Sequence, residues 1–336
     1  MKRLAVAVLV LSSIAVLPRP AWPQQGDVGV ESVNGSQFSE PAEDKLDPVV
    51  LKAQVLLDRL RFSPGVIDGY LGDNLSKAVR AFEEANGLEP DGKLDREVWR
   101  RLEETSDRPV LKEYTIAEDD VAGPFVESIP ERFEDLSKLD RLSYLGPKEL
   151  LAEKFHMDEE LLERLNRGKD FGKAGTVIVV ADPARAIGSD PTVTGTAAKG
   201  AKIEVRKSTG TVRLLDERGE VLAVYPASVG SEEKPAPTGT HRVEAIAENP
   251  VYTYNPDYGF KGVKAKEAFT IKPGPNNPVG TVWIDLSAET YGIHGTPKPD
   301  EVGKVASHGC VRLTNWDVEE LAGLVKRGTP VEFVGS

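Results

Sequence analysis

Near residue 200 the spacing of apolar side chains changes, and this change limits the folds open to the chain more than any other feature. Upstream, Leu75, Ala78, Val79 and Phe82 fall at i, i+3, i+4 and i+7, the spacing of one buried helix face. From Ala201 onward apolar residues come in short alternating segments bounded by turns: Ile203 with Val205, Val212 with Leu214, Val221 to Val229, Phe269 to Ile271, and Val282 to Leu286. That period of two belongs to strands. The two halves cannot share one layer, so a multidomain α+β chain is expected. Its parts are a small three-helix N-terminal domain, a βααβ-like middle segment and a mainly β C-terminal domain.

In the first part, Asp47 is placed to cap a helix with Pro48 in its first turn and Val55, Leu56 and Leu60 on its buried stripe. Asn86-Gly87 stops a second helix, and a third runs from Asp95 through Val98, Trp99 and Leu102. The segments 64–69 and 90–94 read as a degenerate repeat of one turn, with Asp68-Gly69 and Asp91-Gly92 supplying a positive-φ corner. These helices make a compact module over residues 47–105. Ahead of it, residues 26–46 are rich in Gly, Ser, Glu and Asp with few large apolar side chains, which predicts a flexible tether.

The middle segment, 113–182, has a βααβ pattern. Tyr114-Thr115-Ile116 is its opening strand, Leu150 to Phe155 and Glu159 to Leu165 its helices, and Thr176 to Val180 its closing strand, with an insertion of about thirty residues after the first strand. His156 falls at a helix end, where a surface position is expected rather than a ligand role.

Lys2-Arg3 precedes the apolar run Leu4 to Leu17, and small and proline residues follow through Pro23. This pattern predicts an export signal over residues 1–25, cleaved between about Ala21 and Gln25. The run falls short of the roughly 20 residues that a membrane-spanning helix needs, so the processed chain is expected not to span a membrane. A net charge of −12 argues against nucleic acid as a partner and against a polybasic membrane patch.

The chemistry concentrates between residues 291 and 312. Cys310, the only cysteine, stands beside two of the four histidines in His294-Gly295-Thr296 and Ser307-His308-Gly309-Cys310-Val311-Arg312. A thiolate is a strong acyl acceptor, an imidazole takes its proton near neutrality, and flanking glycines let an acyl group approach the backbone. A lone cysteine forms no internal disulfide, and in an oxidising compartment it is exposed to sulfenic acid chemistry, so its retention points to use. Thr314 and Asp317 have capping-box spacing ahead of a helix with Val318, Leu321, Ala322 and Val325 on one face, ended by Gly328 before a strand from Val331 to Val334. Cys310 therefore lies outside that helix's first turn, and its activation falls to imidazole rather than to the macrodipole. Spacing alone does not choose between His294 and His308. A Walker-type loop is absent, since residues 168–173 have the wrong spacing, as is a His-Glu-x-x-His helix. Neither a cofactor nor a metal is expected. His241 lies near no other ligand-type residue.

Ile293-His294-Gly295-Thr296 and Ser307 to Leu313, with the upstream Pro237-Thr238-Gly239, resemble the catalytic domain of L,D-transpeptidases, over residues 201–335. Asp68-Gly69, Ala81-Phe82, Gly87-Leu88 and Asp91-Gly92 resemble a peptidoglycan-binding domain, although Glu83 stands where that family usually has glutamine. Tyr114 to Val180 resembles a lysin motif; the alternative for each upstream module is a spacer or connector that binds nothing.

The catalytic resemblance implies Cys310 as nucleophile, His294 as general base and acid with the Gly295 carbonyl orienting it, and the Gly309 and Cys310 amides as oxyanion donors. It implies further that His308 shapes the nucleophile loop and that Arg312 either orders the site or faces a substrate carboxylate. Tyr291, Gly295, Thr296 and Ser307 are candidates to line the cleft. Its reaction exchanges one amide for another through a thioester, joining the donor stem peptide to a second stem's amine. The expected partners are peptidoglycan stem peptides and glycan, with carbapenem-type inhibitors, and the expected location is the periplasm or cell wall. An L,D-carboxypeptidase, an enzyme that attaches a protein to peptidoglycan, and a non-catalytic wall-binding scaffold are the other readings.

Overall fold

The computed structural model describes residues 28–183, 200–231, 234–256, 265–305 and 309–335. The export signal expected over residues 1–25 lies outside them. Among the described residues no helix is long and apolar enough to cross a membrane.

The tether expected over 26–46 is a correction. It carries a short helix, α1 (Val30–Asn34), whose Val33 is fully buried. Composition hid this because few contacts anchor it. Phe38 packs 6.3 Å from the Trp99 ring, and the Asn34 amide accepts from the Val110 and Leu111 N–H groups and donates to the Leu111 carbonyl.

The three helices of the next module follow from their caps. Asp47 accepts from the Val49 N–H at the start of α2 (Pro48–Arg59), Asn86 caps the end of α3 (Asp73–Ala85), and Asp95 accepts from the Val98 N–H to open α4 (Arg96–Glu103). Gly69 and Gly92 both have the positive φ expected of the repeated turn. Glu83 accepts from the Gly92 N–H at 2.7 Å, so this carboxylate fastens the second turn to α3.

The middle segment opens with β1 (Leu111–Thr115), continues through α5 (Glu118–Ala122), α6 (Phe133–Leu136), α7 (Pro147–Lys154) and α8 (Glu159–Leu165), and closes with β2 (Val177–Ala181), antiparallel to β1 with Leu111 opposite Ala181. Its apolar side chains, among them Leu151, Phe155, Leu161, Ile178 and Val180, join those of α2 to α4 in one continuous core. The binding and middle modules are thus fused rather than strung on a linker.

The rest is mainly β. The strands are β3 (Lys202–Arg206), β4 (Thr211–Leu215), β5 (Val221–Pro226), β6 (Ser228–Val229), β7 (Gly239–Glu248), β8 (Tyr252–Tyr254), β9 (Phe269–Ile271), β10 (Val282–Leu286), β11 (Gly292–His294), β12 (Val311–Arg312) and β13 (Pro330–Val334). Nine of them form one sheet in the order β5-β4-β3-β13-β7-β10-β11-β12-β6. The helix α9 (Asn315–Leu324) is capped by Thr314, whose hydroxyl accepts from the Asp317 N–H, and it buries Val318, Leu321 and Leu324 against the sheet's core. The β8–β9 hairpin stands apart and is clasped by the insertion between β1 and α7. Leu136 and Leu142 bury against Ile271, Leu142 N–H donates to the Pro273 carbonyl, and Gly274 passes so close that a Cβ there would sit 2.2 Å from the Leu142 oxygen.

His156 is not at the surface. It is buried with positive φ, stacks on Trp316 of α9 at 5.1 Å, and sets Nδ1 3.1 Å from Asp58 Oδ1 of α2. It pins three modules together. Beside it, Ser63 donates to Asp317 Oδ2 at 3.1 Å, Arg61 pairs with Glu320 at 2.9 Å, and backbone bonds link Ser63 and Arg61 to Val224 of β5.

Candidate active site

Strands β11 and β12 run parallel, with Ile293 opposite Val311 and His294 opposite Arg312. Residues across a parallel pair share a face, and so do residues two apart along a strand. His294 and Arg312 therefore project to the same side of the sheet, and Cys310 stands directly ahead of β12, two residues before Arg312.

The imidazole is held on two sides. His294 Nδ1 lies 2.7 Å from the Gly295 carbonyl oxygen. A carbonyl only accepts, so Nδ1 carries the proton and Nε2 keeps the lone pair. Trp283, opposite His294 on β10, stacks on the ring at 5.4 Å with planes 19° apart. Gly292 makes room for that indole, since a Cβ there would fall 2.5 Å from it. Burial, with the Arg312 charge adding to it, pushes His294 down to about 4. The ring is neutral at any ordinary pH and presents a lone pair, as a general base requires.

Cys310 is half-buried. Burial raises its thiol above the ordinary range, while the Gly292 amide and the charges of Lys234 and Arg312 pull it back. Burial thus disfavours the charged form of each group and works against a thiolate–imidazolium pair. Burial also works against the Arg312 charge, with Glu301 opposing that effect, and Arg312 Nε is buried without a hydrogen-bond partner among the described residues.

The other expected residues divide. Gly309 has φ of 101°, and a Cβ on it would meet Lys234 and Tyr291 at 3.0 Å each, so glycine lets these two side chains close against the nucleophile loop. The Lys234 ammonium sits 5.7 Å from the Tyr291 ring centroid, and the Tyr291 hydroxyl donates to the Pro235 carbonyl. Thr296, expected to line the cleft, is only 2% exposed; its N–H donates to Asn315 and its hydroxyl accepts from the Lys298 N–H. Ser307 and His308 lie outside the described residues. Away from the site, His241 bonds the Thr238 carbonyl and meets the Phe333 ring edge-on.

Trp283, Lys234 and Asn315 were not reached by sequence reasoning. Trp283 read as one position of an alternating strand, and only the β10–β11 register, with Trp283 opposite His294, makes it a partner of the base. The segment between base and nucleophile is also held from upstream. Asn74 of α3 donates to the Val302 carbonyl at 2.8 Å and Lys77 to the Gly303 carbonyl at 3.1 Å. Those bonds tie the first module to this segment.

Residues 200–333 match the L,D-transpeptidase catalytic domain, and residues 47–102 match a peptidoglycan binding domain. YqjB of Bacillus subtilis, named as an L,D-transpeptidase, is 33% identical over 132 residues, covering 38% of this chain and 67% of the relative. The chain belongs to the L,D-transpeptidase family. YkuD of Bacillus licheniformis, carrying the same family name, is 35% identical over 132 residues, and the chain covers just under two thirds of its length, 64%, with 39% of its own. A crystal structure of L,D-transpeptidase 3 from Mycobacterium tuberculosis aligns at a TM-score of 0.34 and 19% identity, covering 41% of this chain and 62% of that one.

Proposed function

We propose that this L,D-transpeptidase cross-links peptidoglycan by passing an acyl group through a thioester on Cys310. The observation that carries the reading is the parallel β11–β12 register, which sets His294 opposite Arg312 with Cys310 just ahead of β12, together with the Gly295 carbonyl fixing the tautomer that leaves His294 Nε2 as base. Because the resting thiol keeps its proton, transfer to Nε2 accompanies attack of sulfur on the stem-peptide carbonyl, and the π pair moves to oxygen. The backbone N–H groups of Gly309 and Cys310 receive that oxyanion. Collapse breaks the C–N bond, the imidazolium returns its proton to the departing amine, and a thioester remains. An acceptor amine from a second stem then attacks the thioester, gives its proton to Nε2 and displaces the thiolate, which recovers that proton. Arg312 faces the donor's carboxylate, and His308 shapes the loop. Tyr291 borders the cleft, while Gly295 and the buried Thr296 act from beneath it through their turn.

The peptidoglycan match and the export pattern favour work at the wall, in a periplasmic or equivalent compartment. Intact-mass analysis with a carbapenem tests the nucleophile. One adduct is expected on the folded protein and none on Cys310→Ala; absence of an adduct on the wild type defeats the reading. Muropeptide analysis of treated sacculi tests the acceptor. New cross-linked dimers are expected, and shortened stems without dimers would replace transfer by hydrolysis.

A further inference from the structure

The middle module reaches the back of the catalytic site through one buried amide. Asn315, the first residue of α9, has no exposed surface. Its Oδ1 accepts from the Thr281 N–H at 3.2 Å and the Thr296 N–H at 3.1 Å. Backbone amides only donate, so they fix which way the side chain faces, and Nδ2 must point away from them. It points to Glu153 of α7, donating to Oε2 at 3.0 Å and Oε1 at 3.3 Å, and to the Pro275 carbonyl at 3.3 Å. The cradle is tight: a Cβ on Gly295 or Gly280 would lie 2.2 or 2.1 Å from Asn315 Oδ1. Gly295 is the residue whose carbonyl holds His294 Nδ1.

We propose that Glu153, contributed by the βααβ module, is a positioning residue for the catalytic base, acting through Asn315 on the Gly295–Thr296 turn that orients His294. This rests on the assignment of His294 as base. Glu153 never meets the substrate. It fixes one end of the amide whose other end fixes the turn, and a turn displaced by about 1 Å misaligns the imidazole enough to cost orders of magnitude in rate. The pocket around Glu153 also holds the Tyr144 hydroxyl, which donates to Oε2 at 3.3 Å, and feels the charges of Glu149 and Glu319. Burial pushes Glu153 up to about 8, so a buried acid group, neutral near pH 7, serves this amide. A carboxyl at this depth without a local stabilising cation is expensive to keep, and its contact with Asn315 is the use the geometry offers.

The test uses the full chain, with iodoacetamide alkylation of Cys310 followed from pH 5 to 10 beside carbapenem acylation. Asn315→Asp keeps an acceptor for Thr281 and Thr296 but removes the donor to Glu153 and the Pro275 carbonyl, and as Glu153 loses its proton, near pH 8, it sets two carboxylates against each other. Alkylation near pH 8 is expected to fall about tenfold, with an altered pH profile. The double variant Glu153→Gln/Asn315→Asp restores a donor–acceptor pair in reversed polarity and is expected to return within about threefold of wild type. A folded Asn315→Asp with wild-type rates and profile overturns the proposal, as does a double variant that regains its melting temperature but not its alkylation profile. Should Asn315→Asp fail to fold, Glu153→Leu takes its place with the same expected loss, and a folded Glu153→Leu with the wild-type profile is equally decisive against it. Alkylation requires no transpeptidation. A wild type that forms no carbapenem adduct therefore defeats the functional reading and leaves the alkylation comparison intact.

Discussion

Replacing Asp317 with asparagine should make this protein more stable in mild alkali and flatten its dependence on pH. Asp317 sits in the first turn of α9, where a carboxylate would ordinarily gain from the helix dipole. Burial outweighs that gain and, with the Asp58 charge adding to it, pushes Asp317 up to about 8 from an ordinary 3.8. His156, in the same pocket, is raised by Asp58 and other carboxylates against the pull of its burial. The folded junction near pH 6 therefore sets the His156–Asp58 contact, which favours the charged imidazole, beside a neutral Asp317. Between about pH 4 and 8 the folded state binds a proton at Asp317 that the unfolded chain lacks, so stability falls as pH rises, by about 1.4 kcal/mol per unit for one proton. Over those four units this gives a ceiling of about 5.6 kcal/mol, and local relaxation lowers it. The raised His156 acts in the same direction, losing its contribution as pH rises through its folded value. Asp317→Asn keeps an oxygen for the Ser63 hydroxyl and has no proton to lose. Urea unfolding at half-unit steps from pH 5 to 9, followed by tryptophan emission to which Trp316 contributes, should show the variant overtaking wild type toward pH 8 with a slope smaller by up to one proton. Parallel curves, or a variant weaker by the same amount at every pH, would refute the reasoning.

Other perturbations address separate links. Trp283→Leu removes the indole that shields His294, so the imidazole should rise from about 4 toward its ordinary range, measured as an upward move of the acidic limb of carbapenem acylation against pH. Asn34→Ala strands the Val110 and Leu111 amides and should cost about 1–3 kcal/mol in thermal unfolding, with faster proteolysis near β1, while the carbapenem adduct still forms. Gly303→Ala drives a Cβ to 2.4 Å from Asn74 Oδ1 and adds strain at a φ of 73°. It should loosen the segment between base and nucleophile, seen as faster hydrogen exchange at residues 299–305 and a fall in acylation rate at unchanged melting of α2 to α4.

Much of the architecture was legible because the signals were local. Asp47 and Thr314 cap the helices they were expected to cap, the third helix expected from Asp95 begins one residue after it with Asp95 as its cap, and the strands Ile203 to Val205 and Val282 to Leu286 announced themselves by alternation. The ten-residue β7 did not, because Val243 is its only buried residue and its exposed positions fall on both faces. Strands β11 and β12, with three and two residues, are too short for any periodicity to register. The chemistry was readable because His294 and Cys310 lie close in sequence. Its supports were not, since Trp283, Asn315 and Glu153 reach the base through strand register and module packing, which one-dimensional spacing does not encode. The same gap explains His156: a helix-end histidine looks solvent-facing until the partners Asp58 and Trp316, far from it along the chain, close over it.

The order of strands in the large sheet carries a consequence for how the domain is held together. β13, the latest made of its nine strands, lies between β3 and β7 and is the hinge through which β5-β4-β3 and β7-β10-β11-β12-β6 become one sheet. Apart from β13, no strand among the described residues pairs with both halves of this sheet. Uniting them joins segments more than a hundred residues apart, a slow, long-range step. The strand that unites the large sheet is therefore one that carries none of the reacting groups, so a change confined to residues 330–334 would part β5-β4-β3 from the half that holds His294 without touching either catalytic side chain.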